Sequence, residues 1–382
     1  MKCSTFSKDI TKCLQKVQSI IERKEIKPIL STVLLSAQND SIQIQATNLE
    51  VSLRERCPAT IVEEGRIVVD ARKLYEIVKE MPDAAISLER KENNWVEISS
   101  GDILFELVGM DAKEFPVIEF FEQDSFQEID AGILKNMIDK TLYAASTDER
   151  KQNLNGVFFH KTKKDDIELL RLVATDGHRL SIIGKPLSLL NEHGRLDPDQ
   201  FDKGVIFPRR GLLELKKLLD DASEQDRLSY LCKKNCGLFK RGDTLLVIRI
   251  IDKEFPNYIQ AIPVDVTKEI AISSEGLLRT LKRISVVAEE KSKAVNLIFS
   301  QNQLDIHASN PIIGQGRERL ALDYTGESMK LGFNAGYLID TLNALDGEKV
   351  LIRIKDQDSP VVFLPFDNEE HIGIIMPMEI ED

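Results

Sequence analysis

No stretch of this sequence approaches the roughly 18 uncharged apolar residues that a membrane-spanning helix needs, so no membrane association is expected. Its first residues, MKCSTFSKDI, have neither an apolar core nor small residues of the cleavage type. A secretory signal is therefore not expected, and the expected location is cytoplasmic. Cysteine is sparse: Cys3, Cys13, Cys57, Cys232 and Cys236 are scattered, and only the last two lie close together, in CKKNC. No second Cys or His pair completes a zinc set, so the thiols read as reduced and unpaired. The usual catalytic signatures are missing as well. There is no GxxxxGK[ST] loop, no HExxH and no GxSxG, and GQG at 314–316 lacks the third glycine of a dinucleotide site. The five histidines show no ligand spacing. These absences predict no metal, no cofactor and no catalytic residue. Positive charge is also in deficit, with a formal net charge of −12. That argues against a protein that coats nucleic acid with its whole surface, while leaving room for one basic face.

What is present is a soluble composition, 42% apolar and 30% charged, in a chain of 382 residues, long enough for two or three domains. The chain repeats itself three times. Apolar or alternating runs SIQIQ, ELLRLV and QLDIH read as strands, and they end in Ala46-Thr47-Asn48, Ala174-Thr175-Asp176 and Ala308-Ser309-Asn310. Each copy opens with an amphipathic helix, over 9–21, 130–145 and 275–287. In the first, Ile10, Cys13, Leu14 and Val17 form the apolar stripe, and Ser7 or Asp9 is placed to cap it. A second helix begins near Ala71, Arg209 and Ala335, each time after a short apolar strand, and Leu74, Ile77, Val78 and Met81 show its spacing. Two copies end alike, in DAKEFP and DKEFP, where proline stops the strand. The pattern predicts an α+β chain of three related domains, spanning 1–122, 127–260 and 264–382.

The basic residues follow the repeat. Lys8, Lys12 and Lys16 recur every fourth residue opposite the apolar stripe of the first helix, with Arg23 and Lys24 beyond. Arg72 and Lys73 mark the next helix. Lys135 and Lys140, then Arg150 and Lys151, then Arg209 and Arg210 mark the middle copy, and Arg279 and Lys282 the third. Five of the six repeated helices thus set bases against their core stripe. No aromatic stacking pattern or RNA-binding signature accompanies them. An acidic molecule with one such face suits duplex phosphates, contacted without regard to sequence and in a salt-sensitive way.

VATDGHRL, at 173–180, has the look of an active site. A hydrolase or phosphotransferase built on Asp176 and His178 is one reading, and a tandem-domain scaffold without DNA is another. The dyad has no nucleophile or metal beside it, and the other copies hold turn-forming Asn48 and Asn310 at the matching position. Turn geometry is therefore expected for Asp176, with a positive φ at Gly177. His178 and Arg179 have no counterpart in the other copies.

KPIL at 27–30, LNG at 154–156, ATDGHRL, FPRRG at 207–211, GFNAGYLIDTLNAL at 332–345 and IIMPM at 374–378 together resemble the bacterial DNA polymerase III beta subunit family, the sliding clamps, over nearly the full length. The resemblance implies three DNA-clamp domains per chain, with helices lining one face and antiparallel sheets outside. It also implies a head-to-tail homodimeric ring around double-stranded DNA. Such a ring is a non-enzymatic processivity factor whose partners are a clamp loader, the DNA polymerase III alpha subunit and other proteins bearing a clamp-binding motif. It implies a partner-peptide pocket at Leu154, Thr175, Gly177, His178, Arg179, Leu180, Pro256, Asn334, Tyr337, Ile374, Ile375, Met376, Pro377 and Met378. A largely apolar trough of this kind suits short extended peptides with Gln and Leu or Phe anchors. The DNA-contacting set would be Lys8, Lys12, Lys16, Lys24, Arg72, Lys73, Lys135, Arg150, Lys151, Arg209, Arg210, Arg279 and Lys282. The ring joint would set Phe105 and Leu107 of an edge strand against Val286 and Val287. Gln260, Ala261, Ser292, the Gln152-Asn153 pair and the extension Glu379–Asp382 depart from the family pattern.

Overall fold

The computed structural model describes residues 1–21, 27–121, 125–190, 201–223 and 226–379. It falls into two compact units, Met1–Gly132 with Arg210–Ile250, and Ile133–Arg209 with Ile251–Asp382. The division cuts the middle repeat. Its last hairpin pairs with the first repeat, whereas its strand Arg179–Pro186 pairs with the third.

The first unit is built on one thirteen-stranded antiparallel sheet. At its centre the strand Val51–Pro58 pairs with Ser41–Thr47 on one side and with Thr244–Arg249 on the other. Helices Ser7–Gln18 and Ala71–Glu80 lie side by side. Ile10, Cys13, Leu14 and Val17 are buried as their spacing predicts, and so are Leu74 and Val78. Asp70 caps the second helix by accepting from the Lys73 N–H at 2.7 Å. The first helix has no such cap. It starts at Ser7 after an extended Phe6, and the Ser7 hydroxyl donates to the Pro82 carbonyl at 2.7 Å. The expected Ser7 cap is thus replaced by a tie to the loop after the second helix. Asp9 sits inside the first turn, where a carboxylate complements the helix dipole.

The second unit holds an eight-stranded and a four-stranded antiparallel sheet. In the larger, Arg179–Pro186 pairs with Ile167–Thr175 on one edge and with His371–Ile375 on the other. In the smaller, Gly314–Ala321 is an outermost strand, paired among the described residues only with Gln303–Asn310. Helices Ser274–Ile284 and Ala335–Ala344 pack together over a core that includes Leu277, Leu281, Leu338 and Leu342. Ser273 and Asn334 cap them. Among the described residues no helix is long and apolar enough to cross a membrane.

Candidate docking, DNA-facing and joint surfaces

The three phrases at the strand ends share one pattern of side-chain-to-backbone hydrogen bonds, although Pro311 stands in the third copy where the other two have a positive φ. The Asp176 Oδ1 accepts from the N–H groups of His178 and Arg179, at 2.9 and 3.1 Å. Asn48 Oδ1 does the same for Glu50 and Val51, at 3.0 and 2.7 Å. Asn310 Oδ1 serves Ile312 and Ile313, at 2.9 and 3.2 Å. Thr175 Oγ1 accepts from the Gly177 N–H at 3.1 Å, as Thr47 does from Leu49 at 3.0 Å. Gly177 has φ +95° and Leu49 φ +75°, so the glycine relieves a conformation that the first copy accepts under strain.

The rest of Asp176 is also engaged, because its Oδ2 accepts from Arg179 Nε at 3.0 Å. With both oxygens occupied and His178 stacked near Tyr337 (centroids 6.3 Å apart), the pair is arranged as a turn and not as an acid–base dyad. Arg179 is held from every side. It donates to Asp340 Oδ2 at 2.6 Å and to the Tyr143 carbonyl at 2.7 Å, and its guanidinium lies 4.5 Å from the Tyr337 ring centroid. Burial raises the pKa of Tyr337, with Asp176 adding to the shift.

Around this turn the structure gathers most of the predicted pocket. Arg179 and Leu180 face Ile375 and Ile374 across the sheet, and the Met376 N–H donates to the His178 carbonyl at 2.9 Å. Asn334, through its cap, fixes Tyr337, and the Met378 N–H donates to the Gly332 carbonyl at 2.8 Å. Gly177, His178 and Met376 are exposed, while Thr175, Pro377 and Met378 are half-buried. Leu180, Ile374 and Ile375 are not exposed walls as expected. They are buried in the core, because the pairing of their two strands turns these side chains into apolar clusters. Leu154 lies on the turn Gln152–Leu154, whose Asn153 donates to the Glu254 carbonyl at 3.4 Å, two residues before an exposed Pro256. Tyr143 and Asp340 are anchors for Arg179 that sequence reasoning missed. A backbone carbonyl carries no sequence signal, and Asp340 reads as an ordinary polar helix residue.

The predicted bases prove to be widely paired. Lys8 contacts Asp83, Arg72 and Lys73 share Glu76, Arg150 pairs with Asp148, and Arg279 with Glu275. Such exposed pairs are worth about 0–1 kcal/mol and leave the bases able to exchange partners. Lys16 differs, since its mate Glu55 is buried and also accepts from Thr244. Lys12, Lys151 and Lys282 are exposed, and Lys151 Nζ donates to the Asp176 carbonyl at 3.2 Å. Lys135, Arg209 and Arg210 are half-buried, and burial lowers the pKa of Arg210, whose Nη2 donates to the Ile20 carbonyl at 3.4 Å. Lys140, expected on a polar face, is instead buried and paired with Asp346. Arg23 and Lys24 lie outside the described residues.

Phe105 is 43% exposed and Leu107 half-buried, on the strand Ile103–Met110. One edge of that strand pairs with Trp95–Ser100, whereas among the described residues the other meets a neighbour only at Gly109 and Met110. Ile103 and Leu104 are exposed beside Phe105. Val286 is 75% exposed, and Val287 lies against Gly316 of the outermost strand Gly314–Ala321. That strand follows Ile312 and Ile313, which are 92% and 62% exposed and were missed in the sequence. They stand just past the third Asx turn, so alignment of the repeats could have found them.

Repeats of helices and antiparallel strands, joined strand to strand, define a clamp-type α+β protein. Family models for the DNA polymerase III beta subunit match its N-terminal domain at residues 1–119, its central domain at 128–257 and its C-terminal domain at 259–379. The beta sliding clamp of Caulobacter vibrioides NA1000 is 32% identical over 382 residues, covering all of both chains. Two solved structures cover the whole of both chains: Caulobacter crescentus pol III beta, 31% identical with a TM-score of 0.91, and the Bacillus subtilis polymerase sliding clamp, 27% identical with a TM-score of 0.91. The chain belongs to the DNA polymerase III beta subunit family, and it is a non-catalytic processivity factor.

Proposed function

We propose that two copies of this chain close head to tail into a ring around duplex DNA and tether polymerases to it through the turn at Thr175–Leu180. A single observation carries the closure. In both joints within the chain, the strand after the Asx turn pairs with the last strand of the following repeat. Val51–Pro58 meets Thr244–Arg249, and Arg179–Pro186 meets His371–Ile375. The third such strand, Gly314–Ala321, and the outer edge of Ile103–Val108 are left without mates among the described residues. A second copy supplies both. Unpaired edges with exposed apolar residues are templates for such pairing.

The register follows from the repeat. Gly101-Asp102 and Gly242-Asp243 open equivalent strands, and Ile248 faces Val51, three residues past Asn48. Transposed, Leu107 faces the other copy's Ile313, and Phe105 faces its Gln315. Val286 and Val287 flank that strand. The repeats delimit domains at 1–122, 127–260 and 264–382.

Lys8, Lys12, Lys16, Lys24, Arg72, Lys73, Lys135, Arg150, Lys151, Arg209, Arg210, Arg279 and Lys282 serve the DNA phosphates. Weak, screened contacts of this type permit sliding, since the ring is held by topology and not by affinity. Client peptides dock across Gly177, His178, Tyr337 and Met376, against Leu154, Pro256 and the tail through Met378. The chain works in the cytoplasm with a separate loader that opens the ring. The test is retention on DNA: loaded rings stay on a closed circle and are lost when it is cut. Equal loss from circular and linear DNA refutes the reading.

A further inference from the structure

A cavity of about 270 Å³ opens on the second unit, lined by Leu169, Arg171, Ile182, Gly184, Ile262 and Ile372. Ile182 and Gly184 continue the row of side chains that starts at Leu180, so the cavity lies along the same face of the sheet as the docking turn. Gly184 lies four strand steps from Leu180, a distance of about 13 Å. Arg171 is the anomaly. Its Nη1 donates to the Tyr258 hydroxyl at 3.3 Å, but its Nε is buried with no acceptor, and among the described residues no carboxylate pairs with it. The carboxylates at the rim are spoken for: Glu369 pairs with Arg353 at 2.8 Å and with Lys164 at 3.8 Å, and Glu370 pairs with Lys185. Glu269 also takes Arg353, at 2.6 Å, so these three carboxylates serve Arg353, Lys164 and Lys185 and none pairs with Arg171.

Arg171 is half-buried, and a guanidinium nitrogen closed off from water without an acceptor is costly. Its charge is felt locally, because burial and then Arg171 drive the neighbouring His160 down to about 4. The vacant Nε–Nη2 edge is the one that takes a carboxylate side-on. The apolar walls around it suit the stem of an acidic side chain.

We infer that this cavity is a flanking subsite that takes an Asp or Glu side chain of an extended client peptide, about four residues from the anchors docked at Thr175–Leu180. The choice of occupant rests on the docking reading above. An acidic residue there would pair with Arg171 and set a preference among clients that share the same anchors.

Two labelled synthetic peptides with identical Gln and Leu/Phe anchors test this, one carrying Glu pairs four to five residues away on both sides and the other Gln pairs. Anisotropy titration of the full-length dimer is expected to give the Glu peptide about tenfold tighter binding, as for one charge-assisted bond. Arg171→Gln and Arg171→Lys, each with an unchanged melting temperature, are expected to abolish that ratio while the Gln peptide binds as before. His178→Ala is expected to weaken both peptides equally. No ratio in the wild type, or a ratio that survives both Arg171 variants, overturns the inference. Should neither peptide bind the wild type, the docking reading fails. The cavity is then decided by N-acetylglutamate and the Arg171 Nε–H resonance: a saturable shift sustains a carboxylate site, and no shift overturns it.

Discussion

Replacing Phe105 with alanine tests the proposed ring joint most directly. Phe105 exposes 43% of its surface in the single chain. For a side chain that can bury about 200 Å², this leaves about 85 Å² for a partner to cover. At about 25 cal/mol per Å² the loss is about 2 kcal/mol per joint. A head-to-tail dimer has two joints, so the variant loses about 4 kcal/mol of association, which weakens the dimer about a thousandfold. The monomer should be barely affected, because the ring removed was already half in water. Sedimentation across a range of concentrations reads the dimer constant, and calorimetric melting of the dilute chain reads the monomer. Val117→Ala, at a side chain 95% exposed and outside both unpaired edges, serves as the control and is expected to change neither. A Phe105→Ala dimer constant within threefold of wild type would refute the edge pairing, since no smaller area at that position could be covered.

Asp176→Asn should keep the turn, as Asn48 and Asn310 do, whereas Asp176→Ala strips two N–H groups of their acceptor and should cost about 2 kcal/mol in urea unfolding. Equal losses would show that the Arg179 ion pair, and not the turn, carries the stability. Lys16→Ala leaves Glu55 buried without its cation and should cost about 2–3 kcal/mol. Lys12→Ala should cost nothing in stability but lower the salt slope of DNA binding by about one, and the opposite pattern in the two variants would sink the assignment. His371 is buried, its Nε2 lies 3.0 Å from Ser181 Oγ, and burial followed by the charge of Lys140 holds it down to about 4. A depressed base stabilises the fold in full above its ordinary pKa, and that contribution is lost as pH falls from about 6.5 toward 4, here about 3 kcal/mol. A His371→Gln variant with the same pH slope as wild type over that window would contradict this.

The helices were legible because their core stripes are local: Ile10, Leu14 and Val17 recur at helical spacing and are buried together. The Asx turns were legible because the chemistry lies in one side chain and the next three residues. What the sequence hid was pairing at a distance. Nothing in RLSII announces that it will lie against HIGII, and so Leu180, Ile374 and Ile375 read as groove walls when they are core. Charge was misread for the same reason. Lys140 fits a polar helix face by spacing, but Asp346, some two hundred residues away, draws it into a buried pair. The cap of the first helix failed because Pro82 offers its carbonyl to Ser7, a contact that only the fold creates.

The position three residues past each Asx residue explains why the middle turn differs from the other two. In the first copy it is Val51, which faces Ile248, and both are fully buried. An apolar pair of that kind seals a joint and leaves nothing to bind. In the third it is Ile313, apolar and exposed, as expected of a residue whose mate lies on another chain. In the middle it is Arg179, facing Ile375. A guanidinium cannot be sealed against isoleucine without heavy desolvation cost, so it is drawn back onto Asp176, Asp340 and the Tyr143 carbonyl. Those bonds fix the turn from beneath while Gly177 and His178 stay in solvent and Tyr337 is held alongside. The exchange of an apolar residue for arginine thus turns a strand joint into a rigid, partly open ledge. Asp176 is there for Arg179 and the backbone, and the partner brings the chemistry.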